Sequence, residues 1–189
     1  MDLNDQQADN AELADIFGGE EPLAVPVDPP TADRRLSRAG CPLIWISDEG
    51  AELTIGGEDT LELCKKLPAF SVEVVWVGNR IDPPAFPQNL TQLRILTDEG
   101  KLLRPADIIW VMCDLYEQAN AGVDIHVASP AGGIRAATFA TLWMIGIGNM
   151  GVQEAVSHVS ALARPLPEDL VAEITSYAGA LRRELWDII

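Results

Sequence analysis

The sequence is poor in the residues that build metal centres and disulfide frameworks. Of 189 residues, three are cysteine and two are histidine. Cys41, Cys64 and Cys113 are odd in number and widely spaced, with no CxxC pair. That excludes a disulfide framework or a cysteine zinc site and fits a reducing cytoplasm. His126 and His158 are too few for a histidine-based centre, so neither a metal nor a cofactor is expected. Basic residues are also scarce, 13 against 29 acids, for a net charge of -16. A surface that negative repels phosphate backbones and anionic headgroups, which argues against nucleic acid and membrane surfaces as partners. A basic protein partner, or a small anion held in a local positive pocket, remains compatible. No apolar run approaches the ~20 residues of a membrane span. The acidic start MDLNDQQADN lacks a basic n-region and an apolar h-region, so no secretory signal is expected.

What is present is a globular composition, 48% hydrophobic, preceded by a segment of another kind. Residues 1–38 hold nine acids and three arginines, a net of -6, and are broken by Pro22, Pro26, Pro29 and Pro30. Such a stretch buries too little apolar surface to offset the entropy of ordering, so a disordered tail is expected. Within it, Leu13, Ile16 and Phe17 are spaced three and four apart and would share one face of a short helix, stopped by Gly18-Gly19. They read either as a stray helical turn or as a docking peptide for a partner's groove. The remaining chain carries -10, and like charge disfavours docking the tail on its own domain.

From residue 42 the pattern is regular. Buried strands are expected at 42–47, 52–55, 72–77, 92–96 and 123–127. Residues 57–66 read as a helix with acids first and lysines last, matching the helix dipole. Residues 104–120 repeat Ile108, Ile109, Met112, Leu115 and Tyr116 at helical spacing. Helices follow at 136–145, 153–162 and 168–189. Strands alternate with helices early and helices gather late. This is an α/β fold, a layered central sheet flanked by helices, with a helix-rich C-terminal half.

One segment carries chemistry: Val123-Asp-Ile-His-Val-Ala-Ser-Pro-Ala-Gly-Gly-Ile-Arg-Ala-Ala-Thr138. A core strand runs into small residues, Ala128, Ser129, Ala131, Gly132 and Gly133, and a helix begins near Arg135. Such a unit turns backbone N–H groups inward and aims a helix N-terminus at the same point, making an anion-binding nest. Arg135 supplies a guanidinium that forks onto phosphate. An ordinary βα turn with an exposed arginine would look the same were Gly-Gly the only signal.

The layout resembles the cysteine-dependent phosphatases of the dual-specificity type. That family carries His-Cys, five residues, Arg, then Ser or Thr on the same strand-loop-helix unit. Six residues before Arg135 stands Ser129, and Gly132 falls at the family's loop glycine. The apolar helix through Phe139 and Trp143, the Gly-rich break, the helix from Gln153, Arg164-Pro165 and the terminal helix also follow the family's order. The resemblance covers roughly residues 42–189. It implies a phosphate- or sulfate-binding loop of Ser129, Gly132, Gly133, Ile134 and Arg135, with Asp98, 31 residues before Ser129, at the general-acid position.

The departures bear on activity. Ser129 replaces the nucleophilic cysteine, Ala128 the histidine before it, and Ala136 the hydroxyl residue after the arginine. No cysteine of the chain has an arginine six residues on. A thiol starts near pKa ~8.5, within reach of a loop of N–H dipoles and an arginine. A serine hydroxyl starts far higher and needs a dedicated base. Strand alternation puts His126 on the face opposite Ser129, so it is not that base. An engineered Cys-to-Ser exchange would have kept the flanking histidine and hydroxyl, whereas three positions differ here.

The expected function is a cytoplasmic, catalytically inactive phosphatase-fold protein that binds or scaffolds. Two alternatives stand beside it: an active protein phosphatase in which Ser129 was put in place of the cysteine, and a purely structural subunit. Gly146-Ile-Gly-Asn-Met-Gly151 spells GxGxxG, but a helix rather than a strand precedes it, so capping and turning account for its glycines. The five tryptophans are expected in the core. Asp114 and Glu117 are expected on a solvated helix face.

Overall fold

The computed structural model describes residues 35–68, 71–78, 91–96, 105–130 and 133–189, of which 91–96 and 105–107 are described by their backbone alone. Among the described residues, five strands form one sheet: β1 (Leu43–Ile46), β2 (Glu52–Gly57), β3 (Val72–Gly78), β4 (Thr91–Leu96) and β5 (Asp124–Ser129). Their order across the sheet is β1-β2-β5-β3-β4. Only β1 runs antiparallel, against β2; the β2–β5, β5–β3 and β3–β4 pairs are parallel. The helices are α1 (Leu61–Cys64), α2 (Pro105–Asn120), α3 (Ile134–Gly146), α4 (Val152–Leu162) and α5 (Glu168–Trp186).

Period-2 alternation sorts the inner strands between two cores. Val75 and Val77 of β3, with Ile125 and Val127 of β5, face the large core built with α2–α5. Val72, Val74 and Trp76, with Ala128, face a smaller one closed by Leu36, Cys41, Leu61 and Cys64. Helix α3 lies at the centre, and every residue from Ala136 to Gly146 is buried. That explains its nearly unbroken apolar sequence, since a helix covered on all sides needs no polar face.

The structure revises several expectations. Residues 58–60 form a 3-10 turn and only Leu61–Cys64 is α-helical, in place of a helix over 57–66. Thr60 Oγ1 donates to the Gly57 carbonyl at 2.6 Å, tightening that turn. Strand β1 is an edge strand and half-buried, with Ile46 exposed. Trp76 and Trp143 are core residues, but Trp110 is 69% and Trp186 49% exposed. Trp110 falls off the inward stripe of Ile108, Met112, Leu115 and Ala119 on α2. Residues 35–38, grouped with the tail by composition, pack on the domain: Leu36 is 4% exposed, and Arg35 Nη1 donates to the Gly50 carbonyl at 2.7 Å. One buried leucine anchors a segment whose average composition looks unstructured.

The GxGxxG segment ends α3 and leads into α4, as its setting suggested. The amide of Met150 donates to the Met144 carbonyl at 2.9 Å, and the Arg182 guanidinium donates to the carbonyls of Ile145 and Met150. Arg182 thus satisfies carbonyls freed where the helix stops. Asp114 and Glu117 are exposed, as expected.

Candidate anion-binding site

The site is built where β5 turns into α3. Strand pairing runs two residues further than the sequence suggested: Gly56 sits opposite Ala128 and Gly57 opposite Ser129, so both belong to β5 and not to the loop. The turn closes with the Gly133 amide donating to the Pro130 carbonyl at 3.4 Å. Gly133 adopts φ +67°, a left-handed conformation that glycine takes without steric cost, and it caps α3. Its carbonyl accepts the Ala137 amide at 2.9 Å, starting the helix one residue before Arg135.

Ser129 is 1% exposed, and its Oγ accepts the Ala136 amide at 3.4 Å. The hydroxyl therefore occupies the N-terminal end of α3 from inside. Arg135 is half-buried, and its Nε is a buried donor with no hydrogen-bond partner. Beside the turn lies a cleft of about 230 Å³ whose walls include Gly56, Gly57, Gly133, Ala136, Ala163 and Arg164. Neither Ser129 nor Arg135 is among those walls. Among the described residues of the expected cradle, Gly133 reaches the cleft; Ile134 opens α3 beside it and is half-buried. Gly56, Gly57 and the exposed Arg164 were not singled out as site residues by the sequence. Consecutive glycines closing a strand were the available signal for the first two. Asp98, Gly132, Leu13, Ile16 and Phe17 lie outside the described residues.

His126 faces the other side of the sheet, as alternation requires. Its Nε2 lies 2.8 Å from Thr60 Oγ1 and its Nδ1 3.0 Å from Thr54 Oγ1. Thr60 Oγ1 also donates to the Gly57 carbonyl at 2.6 Å and Thr54 Oγ1 to the Ile125 carbonyl at 3.4 Å, so the ring is held between two hydroxyls that are themselves tied to the backbone. Burial pushes the imidazole down to about 4, which keeps it neutral. All three thiols are free and buried. Burial raises each of them, Cys64 to about 12, the opposite of what a thiolate nucleophile needs.

The fold has counterparts among solved structures. Human DUSP28 superposes with a TM-score of 0.56 at 21% identity, covering 75% of this chain and 95% of that one. A mouse putative dual specificity phosphatase complexed with zinc tungstate gives 0.57 at 18%, covering 76% and 90%. P. aeruginosa TpbA, a cysteine-to-serine variant in complex with phosphotyrosine, gives 0.53 at 17%, covering 77% and 91%. The chain has the dual-specificity-phosphatase fold. No protein-family model matches the sequence, and no curated protein matches it. No described helix is long and apolar enough to cross a membrane.

Proposed function

We propose that this chain is a phosphatase-fold binding protein that holds a phosphate or sulfate group at the 129–135 turn without hydrolysing it, and so serves as a binding or scaffold subunit. The observation that carries this reading is the state of Ser129. Its hydroxyl is sealed at the base of α3 and accepts a helix amide, while His126 spends both ring nitrogens on threonines across the sheet. Among the described residues no base hydrogen-bonds to Ser129, and a serine without one does not become an alkoxide at neutral pH. No buried thiol of the chain stands in for it.

Retained binding has its own support. The unpartnered Nε of Arg135 is a buried donor of the kind that an incoming anion satisfies, and leaving it unmet costs about 1–3 kcal/mol. Gly133 holds the turn that would present the first amides of α3 to the same anion. The TpbA variant holds phosphotyrosine with a cysteine exchanged for serine, so a serine variant of this fold is compatible with a bound phosphate ester. Three reduced thiols suit a cytoplasmic setting.

Melting curves with and without phosphate or sulfate test the reading. A ligand at a hundred times its Kd adds about 2.7 kcal/mol of stability, so the midpoint should rise for the wild type and stay put for Arg135→Ala. An equal rise in both proteins would place binding elsewhere.

A further inference from the structure

Two glycines end β2, and they make a wall one backbone layer thick. On one side lies the cleft beside the turn, which Gly56 and Gly57 line together with Ile55, Gly133 and Ala136. On the other side stands Thr60, in the 3-10 turn that follows the strand. Strand alternation separates the two sides: Ile55 pairs with Val127 toward the large core, and Thr54 pairs with His126 toward the smaller one. A Cβ on Gly56 would lie 2.5 Å from the Thr60 methyl, so the missing side chain is what lets Thr60 approach. Neither Thr60 nor His126 lines the cleft.

Thr60 is tied on two sides. Its Oγ1 donates to the Gly57 carbonyl at 2.6 Å and lies 2.8 Å from Nε2 of His126. His126 is fully buried, and its Nδ1 lies 3.0 Å from Thr54 Oγ1, so the ring has no freedom to turn away. Gly57 itself brings no stiffness. At φ -90° and ψ -176° it is extended, and a glycine leaves that conformation at little steric cost. Pairing with Ser129 holds one edge of this residue, and the Thr60 hydroxyl holds its carbonyl.

We infer that Thr60 and His126 are positioning residues for the binding site: from behind the strand they fix the Gly56–Gly57 wall, and with it the width of the cleft facing Gly133 and Ala136. The inference rests on the binding reading above. Ala136 directly follows Arg135, whose unpartnered Nε marks the anion's place, so the group that a bound anion carries meets this cleft. Without the Thr60 hydroxyl the Gly57 carbonyl is free to swing, and the wall no longer keeps a fixed distance from α3. A pair that merely pinned the 58–60 turn to the sheet would change stability and leave affinity alone.

Calorimetric titration with an aryl phosphate separates these roles, at a temperature where melting curves show each protein folded. Thr60→Val keeps the shape, removes the hydroxyl and should weaken binding by about fivefold or more. Thr60→Ser keeps the hydroxyl and should recover most of the affinity. The ring-proton NMR signal of His126, assigned by its loss in His126→Gln, should move when the unaltered protein is saturated. That measurement decides the matter should Thr60→Val melt too low to titrate. Equal affinities of the wild type and Thr60→Val, a loss that Thr60→Ser does not recover, or a His126 signal that stays fixed at saturation would each overturn the inference while leaving anion binding intact. Absence of saturable binding to the wild type would remove the binding reading and this inference together.

Discussion

His126 Nε2 lies 2.8 Å from Thr60 Oγ1, and that bond joins the centre of the sheet to the turn that follows β2. Thr54 and Thr60 hold the imidazole between them, Thr54 also donating to the Ile125 carbonyl and Thr60 to the Gly57 carbonyl, opposite Ser129.

Acid should break this network. The folded-state pKa of His126 is lowered to about 4 from an ordinary 6.5, so between those values the unfolded chain binds the extra proton. Its contribution is complete above pH 6.5 and is lost as the pH falls toward 4, amounting to about 3 kcal/mol in full. Glu73 and Asp124 are raised by burial and act in the opposite sense, favouring the fold at low pH and losing that advantage as they ionise. Denaturant titrations from pH 7 to 4 should therefore show a steeper acid loss in the wild type than in His126→Gln. Parallel pH profiles would refute the assignment.

Gly56 protects the same bond. A Cβ there would sit 2.5 Å from Cγ2 of Thr60 and displace it from His126. Gly56→Ala should cost about 1–3 kcal/mol, the penalty for an unmet buried donor. Combined with Thr60→Val, the losses should fall short of additivity, because both changes remove one contact. Fully additive losses in urea titrations would separate the two residues.

The turn itself depends on Gly133. A Cβ at this position meets nothing within 4 Å, so any cost of substitution comes from the +67° backbone alone. Gly133→Ala should lower stability by about 1–2 kcal/mol, and Gly133→Asn by less, because asparagine visits that conformation. Equal melting points for all three proteins would show that the turn relaxes without penalty.

Much of this architecture is legible in the chain. Runs such as Val72–Val77 and the nearly unbroken apolar α3 announce buried elements, and their alternation announces an α/β layered sheet, whereas the parallel pairing of the inner strands appears only in the structure. The strand-loop-helix unit around Ser129 could be found by spacing, and His126 excluded by parity. What stayed hidden depends on residues far apart in sequence. Gly57 meets Ser129 only through β2–β5 pairing, and Arg164 reaches the cleft only because α4 ends beside it. Trp110 looked like core because its hydrophobicity speaks louder than its position on the helix.

Restoring a thiol should not restore an enzyme. In Ser129→Cys, Ala136 still offers no hydroxyl to the departing thiolate, and phosphate release should remain near the blank. Adding Ala136→Ser should raise it by roughly tenfold or more, about 1.4 kcal/mol of barrier. A fully active single variant would mean that the hydroxyl is dispensable here.

The most direct measurement combines binding and chemistry in one sample: calorimetric titration of the wild-type chain with an aryl phosphate, followed by assay of inorganic phosphate in the same cell. The account predicts saturable heat that Arg135→Ala abolishes, and phosphate no higher than in the protein-free control. Phosphate release proportional to protein concentration and lost in Ser129→Ala would contradict it.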